Sequence, residues 1–302
     1  MDRQAWLAER KKGIGGSDAA AILGLNPYAT PYTVWADKTG RLPEKEDNEA
    51  MRQGRDFEPY VANRFVEAVD KKVRRKNQIL RNPDYPFALA NIDRMIVGEN
   101  AGLECKTTSI LNLKKFKNGE FPETYYCQCV HYMAVTGAVR WHLAVLVLNQ
   151  GFYPFTIERD DAEIQALMQA EKEFWKYVEK DTPPPLDGLE ATSEAIKTIY
   201  KDNISNSDPV DLFGRDKLVQ EWFDIKNEIK KWEEKQELIK QVLQNDLGQN
   251  EIGLCGDFEV RWKGQSRNTF DAKTFAKDHP EIDLSGYYKQ SSFRKFEIKE
   301  RK

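Results

Sequence analysis

The sequence predicts an α/β fold, with a mixed central β-sheet flanked by helices, and a C-terminal α+β extension that contains a long coiled-coil-like helix. Two observations support this expectation. Residues 1–181 alternate between segments of helical periodicity and short segments rich in strand-forming residues. A proline triplet at residues 183–185 then interrupts the chain, because proline continues neither a helix nor a central strand. We therefore expect a core at 1–181, a proline-rich linker at 182–189 and an extension at 190–302.

The elements of the core follow from the apolar spacing and from the positions of glycine and proline. A longer helix is expected where four apolar residues recur at helical spacing, Phe57, Val61, Phe65 and Val69. Ser17 is the expected N-cap of a short helix of small residues. The expected helices cover residues 2–12, 19–23, 31–40, 48–69, 123–136 and 160–180. The expected strands lie around residues 73–81, 86–97, 102–108, 139–148 and 152–158.

The extension is expected to begin with a long amphipathic helix at about residues 212–247. Its apolar residues recur at spacings of three and four, and Gln236 fills the one remaining core position. These apolar residues are Leu218, Trp222, Ile225, Ile229, Trp232, Ile239 and Leu243. A small β-containing unit is expected around 251–263 and 287–298. The helix has three candidate roles, namely oligomerisation, binding of a partner protein and contact with DNA, and a fourth interpretation is a packed arm without a role of its own.

Composition excludes several classes of protein. The chain has 302 residues, a net charge of -3 and a mean hydropathy of -0.70, and no apolar run reaches the length of a membrane span. The first residues lack the apolar region of a signal peptide, so a cytoplasmic protein is expected. The four cysteines do not have zinc-site spacing. No G-x(4)-G-K-[ST] loop occurs, which argues against an ATP-driven helicase.

The strongest chemical signal is Asp93 followed by Glu104 and Lys106. In a strand, Glu104 and Lys106 point to one face and Cys105 to the other. A hairpin would bring the two carboxylates and the ammonium together, and two close carboxylates repel unless a hard cation lies between them. Mg²⁺ prefers such oxygen ligands, and a neighbouring lysine can hold water or a phosphate. The pattern predicts metal-assisted phosphodiester hydrolysis, whereas the simpler interpretation is an exposed hairpin with an ion pair.

Four further residues are candidates for the same site. Glu58, on the 48–69 helix, is either a ligand of a second metal or an ordinary surface carboxylate. Gln128 lies on an apolar helix, where it either orients water or DNA or is a satisfied core amide. Arg10 and Ser17 flank a glycine turn that is either a phosphate pocket or only a sharp turn. His131 is expected to be a core or partly exposed histidine.

Four motifs in the same order resemble the YqaJ-type viral recombinase nucleases. These are relatives of phage lambda exonuclease within the PD-(D/E)XK nuclease superfamily. The motifs lie at residues 6–18 (W-x(3)-R-x(2)-G-I-G-G-S-D), 54–59 (G-x(3)-E-P), 93–106 (D-x(10)-E-x-K) and 125–137 (Y-x(2)-Q-x(4)-M-x-V-T-G). The resemblance covers about residues 1–180. It implies a nuclease core and a magnesium-dependent, ATP-independent 5′-to-3′ exonuclease on double-stranded DNA ends that leaves 3′ single strands.

The resemblance also implies roles for residues, ions and partners. It implies metal binding by Asp93, Glu104 and the Cys105 carbonyl, with Mg²⁺ or Mn²⁺ as the ion. Two ions per site are implied, and Glu58 would serve the second. Lys106 would position the attacking water and Gln128 would support it, while Arg10 and Ser17 would bind the 5′ phosphate. A single-strand annealing protein is the implied partner, a ring-shaped trimer the implied assembly, and a phage or prophage in a bacterial host the implied source.

Two positions depart from the pattern of the family. Arg94 follows Asp93 where relatives often have glycine, and Val130 stands where a second glutamine often occurs. The first departure keeps the metal-binding carboxylates, and the second removes a polar group near the expected water. Two alternatives therefore accompany the exonuclease, a structure-specific or restriction-type endonuclease on the same core and a catalytically silent DNA-binding or assembly protein.

Overall fold

The computed structural model describes residues 3–44, 46–201, 208–283, 285–287 and 296–299. The chain forms two compact units, Met1–Asn203 and Ile204–Lys302. Within the described residues, no helix is long and apolar enough to cross a membrane.

The first unit is built on a five-stranded mixed sheet. Its strands are β2 (Val73–Arg75), β5 (Arg94–Ile96), β6 (Ala101–Thr108), β7 (Arg140–Val147) and β8 (Gly151–Glu158), in the order β2-β5-β6-β7-β8. β6 and β7 run parallel, and all other neighbours are antiparallel. The parallel pair requires a crossover, and the helix between the two strands supplies it. The predicted mixed sheet is confirmed.

A second, three-stranded sheet replaces part of a predicted strand. It consists of β1 (Ile14–Gly15), β3 (Leu80–Arg81) and β4 (Ala88–Ala90), in the order β1-β4-β3. The prediction of one strand at 86–97 is therefore wrong. Residues 91–93, which connect β4 to β5, are not part of any strand. This break sends β4 and β5 into different sheets and frees the Asp93 carboxylate for the site.

Helices cover both faces of the five-stranded sheet. The helices of the first unit are α1 (Arg3–Lys11), α2 (Gly16–Ile22), α3 (Pro31–Lys38), α4 (Glu49–Val69), α5 (Glu123–Thr136), α6 (Asp161–Glu179) and α7 (Glu190–Ile199), with a 3₁₀ helix at Ile110–Phe116. On one face, α5 packs against alternate residues of β7, Trp141, Leu143 and Val145. On the other face, Val61 and Phe65 of α4 contact Leu103 and Ala144. The alternation along the strands thus supplies two separate cores.

A buried histidine–glutamate pair joins α5 to α6. The His131 and Glu171 side chains are both fully buried, and His131 Nδ1 lies 2.8 Å from Glu171 Oε1. The other ring nitrogen, Nε2, donates to the carbonyl oxygen of Leu89 in β4 at 2.9 Å. His131 is therefore a core histidine, and its partner is a fully buried carboxylate of α6.

The first unit extends beyond the predicted linker. Residues 182–189 have no regular secondary structure, as expected of a proline-rich segment. However, α7 packs against α3, where the hydroxyl groups of Thr192 and Thr30 lie 2.7 Å apart and both side chains are buried. The structural division therefore lies near residue 203, after α7, whereas the sequence placed the start of the extension at 190.

The second unit contains the predicted long helix, α8, at Asp216–Leu247. It begins later than residue 212 because Gly214 adopts a φ of +76°, which an α-helix cannot contain. An antiparallel hairpin follows, formed by β9 (Ile252–Cys255) and β10 (Phe258–Arg261). The helix α9 covers Ala272–Asp278, and a 3₁₀ turn covers Ser285–Tyr287. Of the strand region expected at 287–298, residues 288–295 lie outside the described residues.

Candidate active site

Asp93, Glu104 and Lys106 come together where β5, β6 and α5 meet. The Asp93 Oδ2 atom accepts a hydrogen bond from the backbone N–H of Cys105 at 2.8 Å. Lys106 Nζ lies 2.6 Å from Glu104 Oε1, so these two side chains share one face of β6. The Cys105 side chain packs on the other face, in the cluster beneath α4. The period-2 prediction for this strand is confirmed.

Glu104 has one satisfied and one unsatisfied oxygen. Its Oε1 atom accepts hydrogen bonds from Lys106 Nζ and from Gln128 Nε2, the latter at 2.8 Å. Its Oε2 atom is buried and has no hydrogen-bond partner among the described residues. An unpaired buried carboxylate oxygen is costly, and a cation would remove that cost. Glu104 therefore fits a metal ligand better than a purely structural carboxylate.

The electrostatic environment of the site disfavours simultaneous ionisation of Asp93 and Glu104. Burial and the nearby Glu104 raise the pKa of Asp93 well above its usual value, and the N–H of Cys105 opposes them only in part. Burial alone would lower the pKa of Lys106, but Glu104 and Asp93 outweigh it and raise the pKa. Lys106 is thus a cation, while burial raises the pKa of Cys105 and keeps its thiol neutral. With both carboxylates ionised the cluster would carry an excess of negative charge, which a hard cation would balance.

Gln128 links the lysine to the carboxylate. Its Oε1 atom accepts from Lys106 Nζ at 2.9 Å, and its Nε2 atom donates to Glu104 and to the Tyr132 hydroxyl at 2.8 Å. The Tyr132 hydroxyl in turn donates to the carbonyl oxygen of Asn91 at 3.2 Å. The side-chain amide of Gln128 is therefore hydrogen-bonded through both its oxygen and its nitrogen. Sequence reasoning missed Tyr132, although its spacing of four from Gln128 places both side chains on one helix face.

Glu58 lies near the site but is held by another partner. Its Oε1 atom accepts a hydrogen bond from Arg94 Nη1, and Arg94 also donates to the carbonyl oxygen of Asp93 at 2.7 Å. Glu58 is close enough that its charge contributes to the raised pKa of Asp93. Across the described residues, no three His, Cys, Asp or Glu side chains are grouped to hold a metal. The second-metal role of Glu58 therefore stays a prediction, and Arg94 would have to release it.

Arg10 and Ser17 line the same cavity as Asp93 and Gln128. Arg10 Nη2 donates to Ser17 Oγ at 3.1 Å, and the guanidinium stacks 4.9 Å from the centre of the Trp6 ring. The cavity measures about 190 Å³. Its wall is formed by Trp6, Arg10, Gly15, Gly16, Ser17, Ile79, Leu89, Asn91, Asp93, Gln128 and Tyr132. Two of the carboxylate-site candidates, Asp93 and Gln128, thus share one cavity with Arg10 and Ser17.

Ser17 does not cap α2, contrary to the sequence-based expectation. The helix begins at Gly16, and the Asp18 carboxylate accepts from the N–H of Gly15 at 2.9 Å. Lys38 fixes that carboxylate, because its buried Nζ lies 2.7 Å from Asp18 Oδ2. Burial would raise the pKa of Asp18, but Lys38 and Arg10 outweigh it and lower the pKa. Asp18 therefore caps the first turn of α2, and the Ser17 hydroxyl accepts its hydrogen bond from Arg10 instead.

Gly16 allows α2 to approach α5 closely. A Cβ at this position would lie 2.7 Å from the Tyr132 ring and 3.1 Å from Cγ of Gln128. We expect Gly16→Ala to destabilise the fold by about 1–3 kcal/mol through overpacking. Because Gln128 must move, we also expect the phosphodiester hydrolysis predicted from the sequence to slow by about 10-fold or more, measured as initial rate on a linear DNA duplex.

The matched control for this change is Gly54→Ala. Gly54 is also a helical glycine, but no atom lies within 4 Å of a Cβ built on it. Alanine there should stabilise α4 by about 0.5–1 kcal/mol. Equal rates for the two variants would mean that Gln128 and Tyr132 tolerate displacement.

Comparison with known proteins identifies relatives of the chain. A family model described as the YqaJ-like viral recombinase domain matches residues 5–139. The uncharacterized protein YqaJ of Bacillus subtilis (strain 168) is 41% identical over 305 residues, which cover 99% of this chain and 95% of that protein.

Solved structures share the fold of the first unit. An alkaline exonuclease from Laribacter hongkongensis, LHK-Exo, has a TM-score of 0.52 at 21% identity, with 59% of this chain and 93% of that chain covered. Its complex with dAMP has a TM-score of 0.51 at 20% identity and the same coverage. At these identities the likeness concerns the fold, which is a mixed sheet flanked by helices. With a relative 41% identical along almost its whole length, the chain belongs to the YqaJ-like viral recombinase family.

Proposed function

We propose that this protein is a magnesium-dependent, ATP-independent exonuclease that degrades double-stranded DNA from its ends in the 5′-to-3′ direction and leaves 3′ single strands. The observation that carries the proposal is the pair of neighbouring carboxylates, the half-buried Asp93 and the buried Glu104, with Lys106 beside Glu104. The Oε2 atom of Glu104 has no hydrogen-bond partner among the described residues. Nuclease chemistry explains why a protein would keep so unfavourable a cluster, since strain of this kind concentrates at functional sites.

The donor set fits a hard cation. Asp93 and Glu104 would hold Mg²⁺, or Mn²⁺ in its place, through carboxylate oxygens, and the Cys105 carbonyl remains a proposed third ligand. When bound, the ion supplies Lewis-acid stabilisation of the phosphate and lowers the pKa of a coordinated water. A second ion would need Glu58, which at present accepts a hydrogen bond from Arg94. We therefore propose that Asp93 and Glu104 form the principal site.

Lys106 acts in this proposal as a fixed cation. An ammonium group has three donors, and Glu104 and Gln128 accept two of them. The third is free to hold the attacking water or an oxygen of the scissile phosphate. Because its pKa is raised, Lys106 is charged at neutral pH and serves as a hydrogen-bond donor, so it is not a general base. Gln128 keeps the ammonium in place.

The cavity beside Asp93 suits a terminal phosphate. Arg10 can donate two hydrogen bonds to a phosphate, and Ser17 can exchange its bond with Arg10 for one with the phosphate. A 5′ phosphate bound there would place the adjoining phosphodiester towards Asp93, which lines the same cavity. LHK-Exo, which shares the fold, binds dAMP, a mononucleotide of the kind that an exonuclease releases. The annealing partner and the trimeric ring are proposed from the family alone.

The experiment that tests the proposal is digestion of a linear duplex labelled separately at each strand end. A closed circular duplex is incubated in parallel, with and without Mg²⁺, and Lys106→Ala provides the inactive control. Metal-dependent loss of the 5′-ended strands with a spared circle would support the exonuclease. A cut circle would indicate the endonuclease, and DNA binding without cleavage under any metal would indicate a silent binding protein.

The phosphate pocket makes a separate prediction. We expect Arg10→Ala to reduce the rate on 5′-phosphorylated ends by about 10-fold to 100-fold, because a charge-assisted hydrogen bond contributes about 1.5–3 kcal/mol. The rate on ends with a 5′ hydroxyl should change little. Arg52→Ala, which removes an exposed arginine of α4, is the control. An equal loss of rate on both kinds of end would contradict the assignment.

A further inference from the structure

The helix α8 exposes an apolar face along its whole length. Of its 32 residues only Leu247 is buried. Four large apolar side chains of that face are more than half exposed, with Ile225 at 52%, Ile229 at 53%, Trp232 at 63% and Ile239 at 54%. Leu243 is 38% exposed, and Trp222 is partly buried. A helix in water owes most of its stability to packing of its apolar face, and a continuous apolar surface of this kind marks an interaction site. The heptad spacing of these residues indicates which partner covers the apolar face.

We propose that α8 pairs with α8 of a second copy of this chain in an antiparallel two-stranded coiled coil. The heptad places Trp222, Ile229, Gln236 and Leu243 at the a positions. The d positions are Leu218, Ile225, Trp232 and Ile239. The proposal is independent of the proposed nuclease activity, because it concerns only the second unit.

One antiparallel register fills every core layer. It sets Trp222 opposite Ile239 of the second copy and Ile229 opposite Trp232 of the second copy. In the same register Leu243 faces Leu218 of the second copy, so that the layers at both ends are also apolar. Each large ring thus meets a medium-sized aliphatic side chain, which suits close packing. Gln236 faces Ile225 of the second copy and is the single polar core position.

Charges beside the core specify this register. Glu228 and Lys235 occupy g positions, and an antiparallel pair brings g residues of the two helices together. In the register given, Glu228 meets Lys235 of the second copy, and twofold symmetry repeats the pair. A slip of one heptad in either direction would instead set Glu228 against Glu228, or Lys235 against Lys235. Opposite charges thus favour the register that also fills the core.

A parallel pair is disfavoured by the same charges. In a parallel coiled coil each g residue meets the e residue five positions later on the other helix. Glu228 would then meet Glu233, and Lys235 would meet Lys240, so two layers of like charge would repel. Only Glu221 would find an opposite charge, at Lys226.

The charge of α8 also argues against DNA as the occupant. The helix carries eight Asp and Glu residues and six Lys residues, so its net charge is -2. A surface for the phosphate backbone needs an excess of basic side chains. A second copy, in contrast, supplies both an apolar face of the same length and complementary g residues.

The first test measures assembly of the full chain. Sedimentation should give a wild-type mass twice that of Ile229→Asp, which places a charge in the core, with circular dichroism confirming that both proteins are folded. A halved mass supports the proposal whether or not the first unit assembles further. A monomeric wild type, or a mass that Ile229→Asp leaves unchanged, would overturn it and leave a partner protein as the occupant of the face.

Charge reversal then distinguishes the two orientations. Lys235→Glu places Glu228 opposite a glutamate in the antiparallel pair and should raise the dissociation constant by about 10-fold. The double variant E228K/K235E restores the pair and should restore affinity. In a parallel pair the single change would create an attraction to Lys240 and tighten assembly, which would overturn the proposal. Lys230→Glu makes the same change of charge on the outer face and should have little effect.

Cross-linking tests the orientation directly. Leu218→Cys and Leu243→Cys are each introduced into a Cys255→Ser background, which removes the exposed native thiol. The two positions are about 37 Å apart along one helix, but they face each other in the proposed register. Mixing the two proteins under oxidation should give a linked heterodimer, and neither alone should link. Linkage within each single variant would indicate a parallel pair and overturn the proposal.

Discussion

Glu104→Gln is expected to lower the rate of DNA degradation by about 1,000-fold while leaving the metal-free fold at least as stable as the wild type. The substitution preserves the shape of the side chain and removes the charge of Glu104, one of two neighbouring carboxylates that repel each other. Asp93 and Lys106 then remain as a balanced pair, since the Lys106 ammonium lies beside both carboxylates. Loss of activity would therefore not reflect unfolding, as destabilised functional sites often gain stability when the function is removed.

A readout that does not depend on activity accompanies this prediction. Mg²⁺ at 100 times its dissociation constant should stabilise the wild type by about 2.7 kcal/mol, because it binds only the folded state. The same concentration should leave the thermal unfolding of Glu104→Gln unchanged. Glu179→Gln, at an exposed carboxylate of α6, is the control and should retain both activity and stabilisation. Full stabilisation of Glu104→Gln by Mg²⁺ would remove Glu104 from the metal site.

Local periodicity was sufficient to predict the parts of the site that lie on one element. Alternation along β6 predicted that Glu104 and Lys106 share a face, and the hydrogen bonds of Gln128 confirm the proximity of α5 to that face. Helical spacing likewise predicted the apolar faces of α4 and α8. In each case the information lies within a few residues, at the period of the element itself.

Non-local pairing limited what the sequence could predict. The position of Arg94 in the sequence indicates no role for it. In the fold, however, its guanidinium donates a hydrogen bond to the carboxylate of Glu58, which is 36 residues away. Lys38 similarly fixes Asp18, so that Asp18 and not Ser17 caps the turn at Gly15. Both outcomes depend on which side chain lies within hydrogen-bonding distance of a given carboxylate in the fold. Spacing along the chain contains no such information.

The sequence contains a signal for the pairing of His131 with Glu171, but the two residues were not considered together. Each is a polar residue on a helix face that is otherwise apolar, and a buried polar group needs a partner. Two such residues on helices that pack on the same sheet can satisfy one another. The structure makes this pairing, and the next prediction depends on it.

Glu171→Ala is expected to destabilise the first unit by about 3–5 kcal/mol, the usual cost of breaking a buried pair by removing one partner. The Nε2–H of His131 donates to the Leu89 carbonyl oxygen, which can only accept. Nδ1 and Glu171 Oε1 must therefore share a proton, and alanine would leave Nδ1 unpaired in a place that excludes water. Glu171→Gln can still donate to Nδ1 and should cost much less. Urea denaturation with an unchanged m-value would measure both differences.

The same pair should make stability depend on pH. Burial would lower the pKa of His131, but the Glu171 carboxylate and the hydrogen bond between them outweigh burial and raise it. A group whose pKa is raised on folding contributes its full stabilisation below its unfolded pKa, about 6.5 for histidine, and loses it as the pH rises through the folded pKa. The folded state retains the shared proton over that interval, because releasing it would leave the Glu171 charge buried without compensation.

Wild-type stability should therefore fall above about pH 6.5, and the fall should be absent in Glu171→Gln, where no carboxylate holds the proton. The measurement is the free energy of unfolding from pH 5.5 to 9 for the two proteins, with Glu179→Gln as the control for loss of one carboxylate. The fall is expected whichever of the two side chains carries the proton, because stability depends on the number of protons bound and not on their position. Parallel curves for the wild type and Glu171→Gln would mean that the folded pair does not retain the shared proton above about pH 6.5, which would contradict the pairing of Nδ1 with Oε1.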